Sequence, residues 1–417
     1  MSGEDGSIES KESIPANVSN ASNVASAAGN RIAKDVAAAI TASTSTSLAV
    51  FLTGALAIQM RNSLHFGAGA FGFAISIYYI GAALGSIPFG RLAEAVGGIR
   101  IMRPAALCAA VVLLVVAITV HSWAELVVVL FVAGMLSAAM QTSSNLFLAR
   151  RIPGNRQGFA YGLKQAAIPF SALLGGLAVP WIALTVGWRW AFVGAAGISV
   201  LAALIIPRSQ VSLATYRARR KNIGPPEDLR PLVIMGIGFG LSVFAATGLT
   251  AFLVTSGVAG GLAKSTAGFV AAIAGAMALI IRILSGIFAD RRGKGHFKVV
   301  AIMLSIGFVG FLGLAIGMGA GIKWLFISGA VLAFGAGWGW NGLFNYAVIV
   351  THQRAPARAT GITQVGGRLA GVFGPVGFGL IVAHGSFAYA WLVDGLACLV
   401  GAAIIIYGRL LMLRVGR

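Results

Sequence analysis

Charged residues are scarce in this chain of 417 residues. They make up 10% of the sequence, and only 11 residues are acidic. A soluble globular domain has about a quarter of its residues charged, whereas 58% of this chain is hydrophobic. The composition therefore excludes an ordinary soluble domain and indicates a protein that resides in a lipid bilayer.

Cysteine and histidine are also rare, with two and five residues. Cys108 and Cys398 each lie inside an apolar run, so we expect buried, reduced thiols and no disulfide framework. The histidines do not cluster in the spacings typical of a metal site, and the apolar runs contain no paired carboxylates or Ser/His/Asp set. We therefore expect no metal, no cofactor and no enzymatic activity.

Long apolar runs are abundant. Twelve have the roughly 17–26 residues that cross a bilayer as a helix. They lie near 36–60, 70–90, 104–120, 124–149, 158–179, 189–206, 231–257, 264–288, 299–318, 324–350, 360–384 and 387–409.

The net charge of +20 is distributed unevenly across the predicted membrane. The side that carries both termini has 24 Lys and Arg residues, the opposite side has 4, and three lie within the apolar runs. Short loops rich in Lys and Arg stay in the cytoplasm. The sequence thus predicts a multi-pass protein of the plasma or inner membrane with cytoplasmic termini, and the charge does not require a nucleic-acid partner.

Polar segments divide the chain into parts. Residues 1–34 have the composition of a disordered cytoplasmic tail, and 207–230 form a charged linker with a Gly-Pro-Pro turn signal. They delimit six-helix bundles at 35–206 and 231–409, and 410–417 form a C-terminal tail.

The two bundles repeat each other. "GRLAEAVG" at 90–97 and "GIFADRRG" at 286–293 share the pattern Gly, two residues, Ala, acid, two residues, Gly. Gly and Gln of "GLKQ" at 162–165 recur in "GITQ" at 361–364. The amides of Gln141 and Asn145 recur as Asn341 and Asn345. All these offsets fall between 196 and 200 residues, which predicts a duplicated six-helix unit.

Two six-helix halves with a Gly-x-x-x-acid-x-x-Gly loop in each resemble the major facilitator superfamily. The loop at 286–294 is close to the family signature, whereas the loop at 90–97 has Glu94 and Ala95 where the family has Asp and Arg. The resemblance implies an all-α membrane fold of 12 transmembrane helices in two pseudo-symmetric bundles, which rock around a midplane site. It also implies gating by the loop residues, with topology anchoring as the alternative: Gly90, Glu94, Gly286, Asp290, Arg291 and Arg292.

Four ionisable residues lie within the apolar runs: Lys164, Arg282, Arg368 and Asp394. Such residues are functional candidates because their burial in lipid is costly. Lys164 can snorkel to the surface, whereas the glycines around Arg368 favour a cavity-facing position. Arg282 either pairs with Asp290 or binds substrate, as its resemblance to the arginine of carboxylate-transporting members implies. Asp394 fits helix packing, with proton coupling as the alternative.

Polar side chains accompany these cations on the runs expected to line the cavity. A positively charged, polar cavity favours an anion, and Arg matches carboxylate geometry. We expect a monomeric secondary transporter of a small organic anion, with proton co-transport and anion exchange both open. The alternative is an efflux carrier for apolar or drug-like compounds. The predicted substrate-binding residues are Arg282, Arg368, Lys164, Gln141, Asn145, Gln165, Asn341, Asn345, Gln364 and Trp338.

Overall fold

A computed structural model describes the backbone of residues 16–152, 160, 162–208, 229–292, 296–352 and 356–415. Within these ranges, the side chains of residues 16–29, 31, 289–292, 356–358 and 415 lie outside the description.

The described residues form helices throughout, joined by short turns. In chain order the helices are α1 (Ala16–Ala55), α2 (Ala57–Leu64), α3 (Ala68–Val96), α4 (Gly98–Ile118), α5 (Trp123–Arg151), α6 (Gly162–Ala183), α7 (Trp188–Ile205), α8 (Arg230–Ala259), α9 (Lys264–Arg292), α10 (His296–Gly319), α11 (Lys323–Gly339), α12 (Asn341–Thr351), α13 (Pro356–His384) and α14 (Phe387–Val415).

Eleven described helices are long and apolar enough to cross a membrane on their own. They match eleven of the twelve predicted spans. The predicted span 324–350 is divided at Trp340 into α11 and α12. The division falls in the sequence "GWGWNG", where glycines weaken the helix. The prediction of an all-α membrane fold is confirmed.

Three predictions from composition need correction. Helix α1 already begins at Ala16, so 16–34 is helical and not disordered; this segment is rich in alanine, the best helix former. Helix α14 continues to Val415, through most of the predicted tail at 410–417. Cys108 is exposed, because it lies on the outer face of α4 beside Leu107 and Val111. Cys398 is buried as expected.

The helices pack in two groups that use the same pairings. In the first, α3 packs on α5, α4 on α7, and α1 on α6. In the second, α9 packs on α11, α10 on α14, and α8 on α13. Each pairing in the second group is the counterpart of one in the first under the predicted duplication. Residues 209–228, which include most of the predicted linker, lie outside the described residues.

Close approaches join the two groups between the middle of the molecule and the end away from the chain termini, and this end is here called the far end. A Cβ added to Gly275 of α9 would lie 2.8 Å from the backbone nitrogen of Leu173 in α6. A Cβ added to Gly72 of α3 would likewise collide with the carbonyl oxygen of Pro375 in α13. Because only glycine permits such contact between backbones, we call this set of approaches the far seal.

A buried ion pair fixes the opposite end of the first group. Arg151 at the end of α5 donates from Nη1 to Oδ1 of Asp35 in α1 over 2.8 Å, and the two side chains are 11% and 5% exposed. The guanidinium also lies 5.2 Å from the ring centroid of Phe147. Sequence analysis missed Asp35 because it falls between the predicted tail and the first predicted span.

We expect Asp35→Asn to lower the free energy of unfolding by about 3 kcal/mol, because it leaves the buried guanidinium of Arg151 without its carboxylate. The thermal midpoint of the purified protein in lipid measures this. The double variant Asp35→Leu/Arg151→Leu removes both charges and should recover much of the loss. A double variant no more stable than Asp35→Asn would contradict the role assigned to the pair.

Candidate functional site

Lys164 is the most buried cation of the described residues, with 1% of its side chain exposed. It lies near the start of α6 and turns toward α5, where Nζ donates to Oε1 of Gln141 over 2.5 Å and to Oδ1 of Asn145 over 2.7 Å. The i, i+4 spacing of the two amides places them on one face of α5. Lys164 therefore does not snorkel; its charge is held by two neutral amides.

The second group contains a matching amide cluster. Gln364 of α13 donates from Nε2 to Oδ1 of Asn345 over 2.8 Å, and Asn345 donates from Nδ2 to Oδ1 of Asn341 over 3.2 Å. Lys164 and Asn145 are 19 residues apart, as are Gln364 and Asn345. By their contacts, Lys164 is therefore the counterpart of Gln364. The sequence repeat instead aligns Gln364 with Gln165, one position later.

Arg282 connects the two groups. It is 5% exposed, and from α9 it donates from Nη1 to the carbonyl oxygen of Gln165 in α6 over 2.6 Å. Nη2 donates to the carbonyl oxygen of Trp338 over 3.1 Å. Nε is buried without a hydrogen-bond partner among the described residues. Among the described residues the guanidinium is thus held only by neutral groups, and its Nε–H is unused.

The two tryptophans of "GWGWNG" have different roles. The ring of Trp338 lies below the guanidinium of Arg282, 5.5 Å from centroid to Cζ, a cation–π arrangement. It also packs at 5.9 Å from the ring of Phe51 in α1. Trp340 is fully buried and donates from Nε1 to the carbonyl oxygen of Gly337 over 2.8 Å. Trp338 therefore belongs to the site, and Trp340 to the packing of the second group.

Arg368 is exposed and makes no hydrogen bond to another described residue. On α13 it lies three and seven residues before Gly371 and Pro375, which contact α3 across the far seal. Residues at i+3 and i+7 share a helix face, so Arg368 lies on the face of α13 that is directed at the first group. At the position of Arg368, this face is exposed.

The predicted gating residues are only partly described. Glu94 and Gly286 are exposed, and an added Cβ at Gly286 would meet no atom within 4 Å. Gly90 lies inside α3, and the chain turns instead at Gly97, where φ is +98°. The side chains of Asp290, Arg291 and Arg292 lie outside the described residues, so the predicted gating role of these residues and the predicted structural pair of Arg282 with Asp290 stay predictions.

Arg282 thus joins the two groups through Gln165, which is adjacent to Lys164 in α6, whereas the bonds of the second amide cluster lie within the second group. All of the predicted binding residues except Arg368 take part in these contacts, although Gln165 contributes its backbone carbonyl and not its amide. The arrangement offers fixed positive charge and neutral amides, and no carboxylate of the described residues contacts either buried cation.

Comparison with known proteins identifies the family and the architecture of the chain. The family model of the Major Facilitator Superfamily matches residues 37–314, two thirds of the chain. The chain belongs to the major facilitator superfamily. It is therefore a multi-pass secondary transporter of that superfamily and not an enzyme, as the sequence predicts.

A solved structure has the same fold. The chain is similar to the crystal structure of a D-xylose–proton symporter, with a TM-score of 0.67 and 16% sequence identity. The match covers 90% of this chain and 97% of that one. At this identity the similarity demonstrates the fold alone. A search of curated proteins finds no match.

Proposed function

We propose that this superfamily transporter carries a small organic anion, a carboxylate, by alternating access. The observation that supports the proposal most is Arg282, a buried guanidinium bound only to neutral groups among the described residues. A buried cation without a negative partner is costly, by several kcal/mol even after relaxation. A negatively charged cargo supplies the missing partner during transport.

The geometry suits a carboxylate more than other anions. The buried Nε of Arg282 is unused, and Nη2, which points to the same side of the guanidinium, is held by a carbonyl oxygen that a carboxylate can displace. Nε and one Nη then form the two parallel hydrogen bonds that a carboxylate prefers. Lys164 is adjacent in sequence to Gln165, whose carbonyl Arg282 holds, and supplies a second positive charge nearby.

Binding of an anion also bears on movement. The bond from Arg282 to Gln165 joins α9 of the second group to α6 of the first. A cargo that draws the guanidinium toward itself weakens this contact between the groups and so changes their relative free energies. We further propose cytoplasmic termini, in the plasma or inner membrane, from the excess of Lys and Arg on the termini side.

Uptake into proteoliposomes tests the function. The purified protein should accumulate or exchange labelled organic carboxylates, and should not take up their amide or alcohol analogues at comparable rates. Transport of apolar cations or neutral drugs in place of carboxylates would instead support the efflux carrier and reject the anion proposal.

We expect Lys164→Gln to raise the KM for the anion about 10- to 100-fold, since a charged hydrogen bond contributes about 1.5–3 kcal/mol. Glutamine is the residue at the matching position of the second group, Gln364, and can bond to Gln141 or Asn145. The fold should therefore be retained, which the thermal midpoint verifies. An unchanged KM in the folded variant would place Lys164 outside the binding site.

A further inference from the structure

A buried carboxyl group lies in the second group, away from the proposed anion site. Asp394 of α14 is 1% exposed and faces α8 at Gly248, where an added Cβ would collide with its Oδ2. This oxygen has no hydrogen-bond partner among the described residues. The glycine lets the carboxyl group lie directly on the backbone of α8.

The described residues around Asp394 carry no positive charge. Between 231 and 259, α8 contains no ionisable residue, and neither does α10 between 299 and 319. The ionisable residues within the described part of α13, Arg368 and His384, are both exposed. The titratable neighbour on its own helix is Cys398, whose thiol donates to the carbonyl oxygen of Leu304 in α10 over 3.4 Å.

One hydrogen-bond donor is nevertheless available. Trp391 lies three residues before Asp394 on α14, is fully buried, and has no partner for its Nε1 among the described residues. Unsatisfied buried polar groups are rare in native proteins and call for an explanation. Here two such groups, the carboxyl oxygen of Asp394 and the indole N–H of Trp391, lie one helical turn apart. Their proximity points to a carboxyl group that exists in two protonation states.

We propose that Asp394 is a proton-binding site whose proton is taken up and released during the transport cycle. An ionised carboxylate with no cation or donor would be very unfavourable in this apolar setting, whereas the neutral acid is compatible with it. On release, the O–H bond breaks, the proton passes to water, and the carboxylate remains on Asp394. We expect the Trp391 N–H, which has no partner among the described residues, to turn and donate to this carboxylate.

The position of Asp394 links it to the far seal. Gly248 lies two residues before Thr250 of α8, whose carbonyl oxygen is at the closest approach to Gly54 of α1. Separation of the seal therefore displaces the segment of α8 that covers the carboxyl group. Protonation of Asp394 favours the sealed arrangement described here, and its ionisation favours the separated one.

Infrared difference spectroscopy of the protein in lipid tests the site without a substrate. We expect a band of a protonated carboxylic acid at neutral pH that is lost in Asp394→Asn and kept in Glu125→Gln, which removes an exposed carboxylate. The band should shift in D2O and disappear as the pH is raised in the folded protein. Absence of the band, or a band insensitive to both D2O and pH, would overturn the proposal. A carboxylate band that responds to sodium at constant pH would also overturn the proposal.

Coupling between proton movement and anion transport is tested separately, and this test rests on the proposed function. With a carboxylate that the protein transports, Asp394→Asn should lose accumulation driven by a proton gradient and keep anion exchange at equal pH. Accumulation equal to wild type would refute the coupling. If no organic anion is transported, the proposed function fails, while the infrared result still decides whether Asp394 binds an exchangeable proton.

Discussion

Arg282→Gln abolishes carboxylate transport and leaves the thermal midpoint unchanged or higher. Loss of one partner of a buried, hydrogen-bonded charge pair costs about 2–5 kcal/mol of binding, so uptake should fall about 30-fold or more. Stability should not fall, because among the described residues only neutral groups hold this charge in the free protein. Removal of a strained functional group is often neutral or favourable for folding.

A matched arginine separates the two effects. Arg189 of α7 also donates to a backbone carbonyl, from Nη1 and Nη2 to Val120 over 3.1 and 3.0 Å, but at the far end of the first group. Arg189→Gln should lower stability by about 1–3 kcal/mol and retain transport per folded protein. If Arg282→Gln also loses stability and transports normally, Arg282 is a structural residue and the anion proposal fails.

Gly275→Leu should open the far seal and stop transport. The added side chain would meet the backbone nitrogen of Leu173 and, at 3.2 Å, the carbonyl oxygen of Pro169. Since backbone atoms cannot move aside like a flexible side chain, α9 must separate from α6. The variant should bind anion and remain folded, but it cannot return to the sealed arrangement. Uptake should therefore fall to the level of empty liposomes.

Spin-label distances measure this separation. Labels on Ser63 and Lys323, exposed at the far end, should move apart in Gly275→Leu, while labels on Arg100 and Lys298 at the termini end should approach or remain in place. The exposed Cys108 is first replaced by serine. Gly197→Leu is the control, because a Cβ at that glycine meets no atom within 4 Å. Unchanged far-end distances in Gly275→Leu would refute the seal.

The fold was largely predictable from sequence because hydropathy and helix length report directly on membrane spans. Where the structure depends on something other than hydropathy, the prediction failed. The break at Trp340 depends on local packing and glycine spacing, and the helix before residue 34 is polar but rich in alanine. Neither feature changes the mean hydropathy of a span, so neither was visible.

The candidate site was only partly predictable. The residues Lys164, Gln141 and Asn145 were each identified because polar groups in an apolar run are conspicuous. Their mutual bonds were not, since the choice of partner depends on how α5 and α6 pack. The acceptors of Arg282 could not be identified at all, because backbone carbonyls are present at every position and leave no mark in the sequence.

The buried cations are proposed to bind an anionic substrate, and ligand-dependent thermal stability measures this binding step. A ligand that binds only the folded state raises the thermal midpoint by mass action. Against a panel of organic carboxylates and their neutral amide analogues, the account predicts that carboxylates raise the midpoint of the wild type and not of Arg282→Gln. A midpoint raised only by neutral compounds, or raised equally by carboxylates in both proteins, would contradict it.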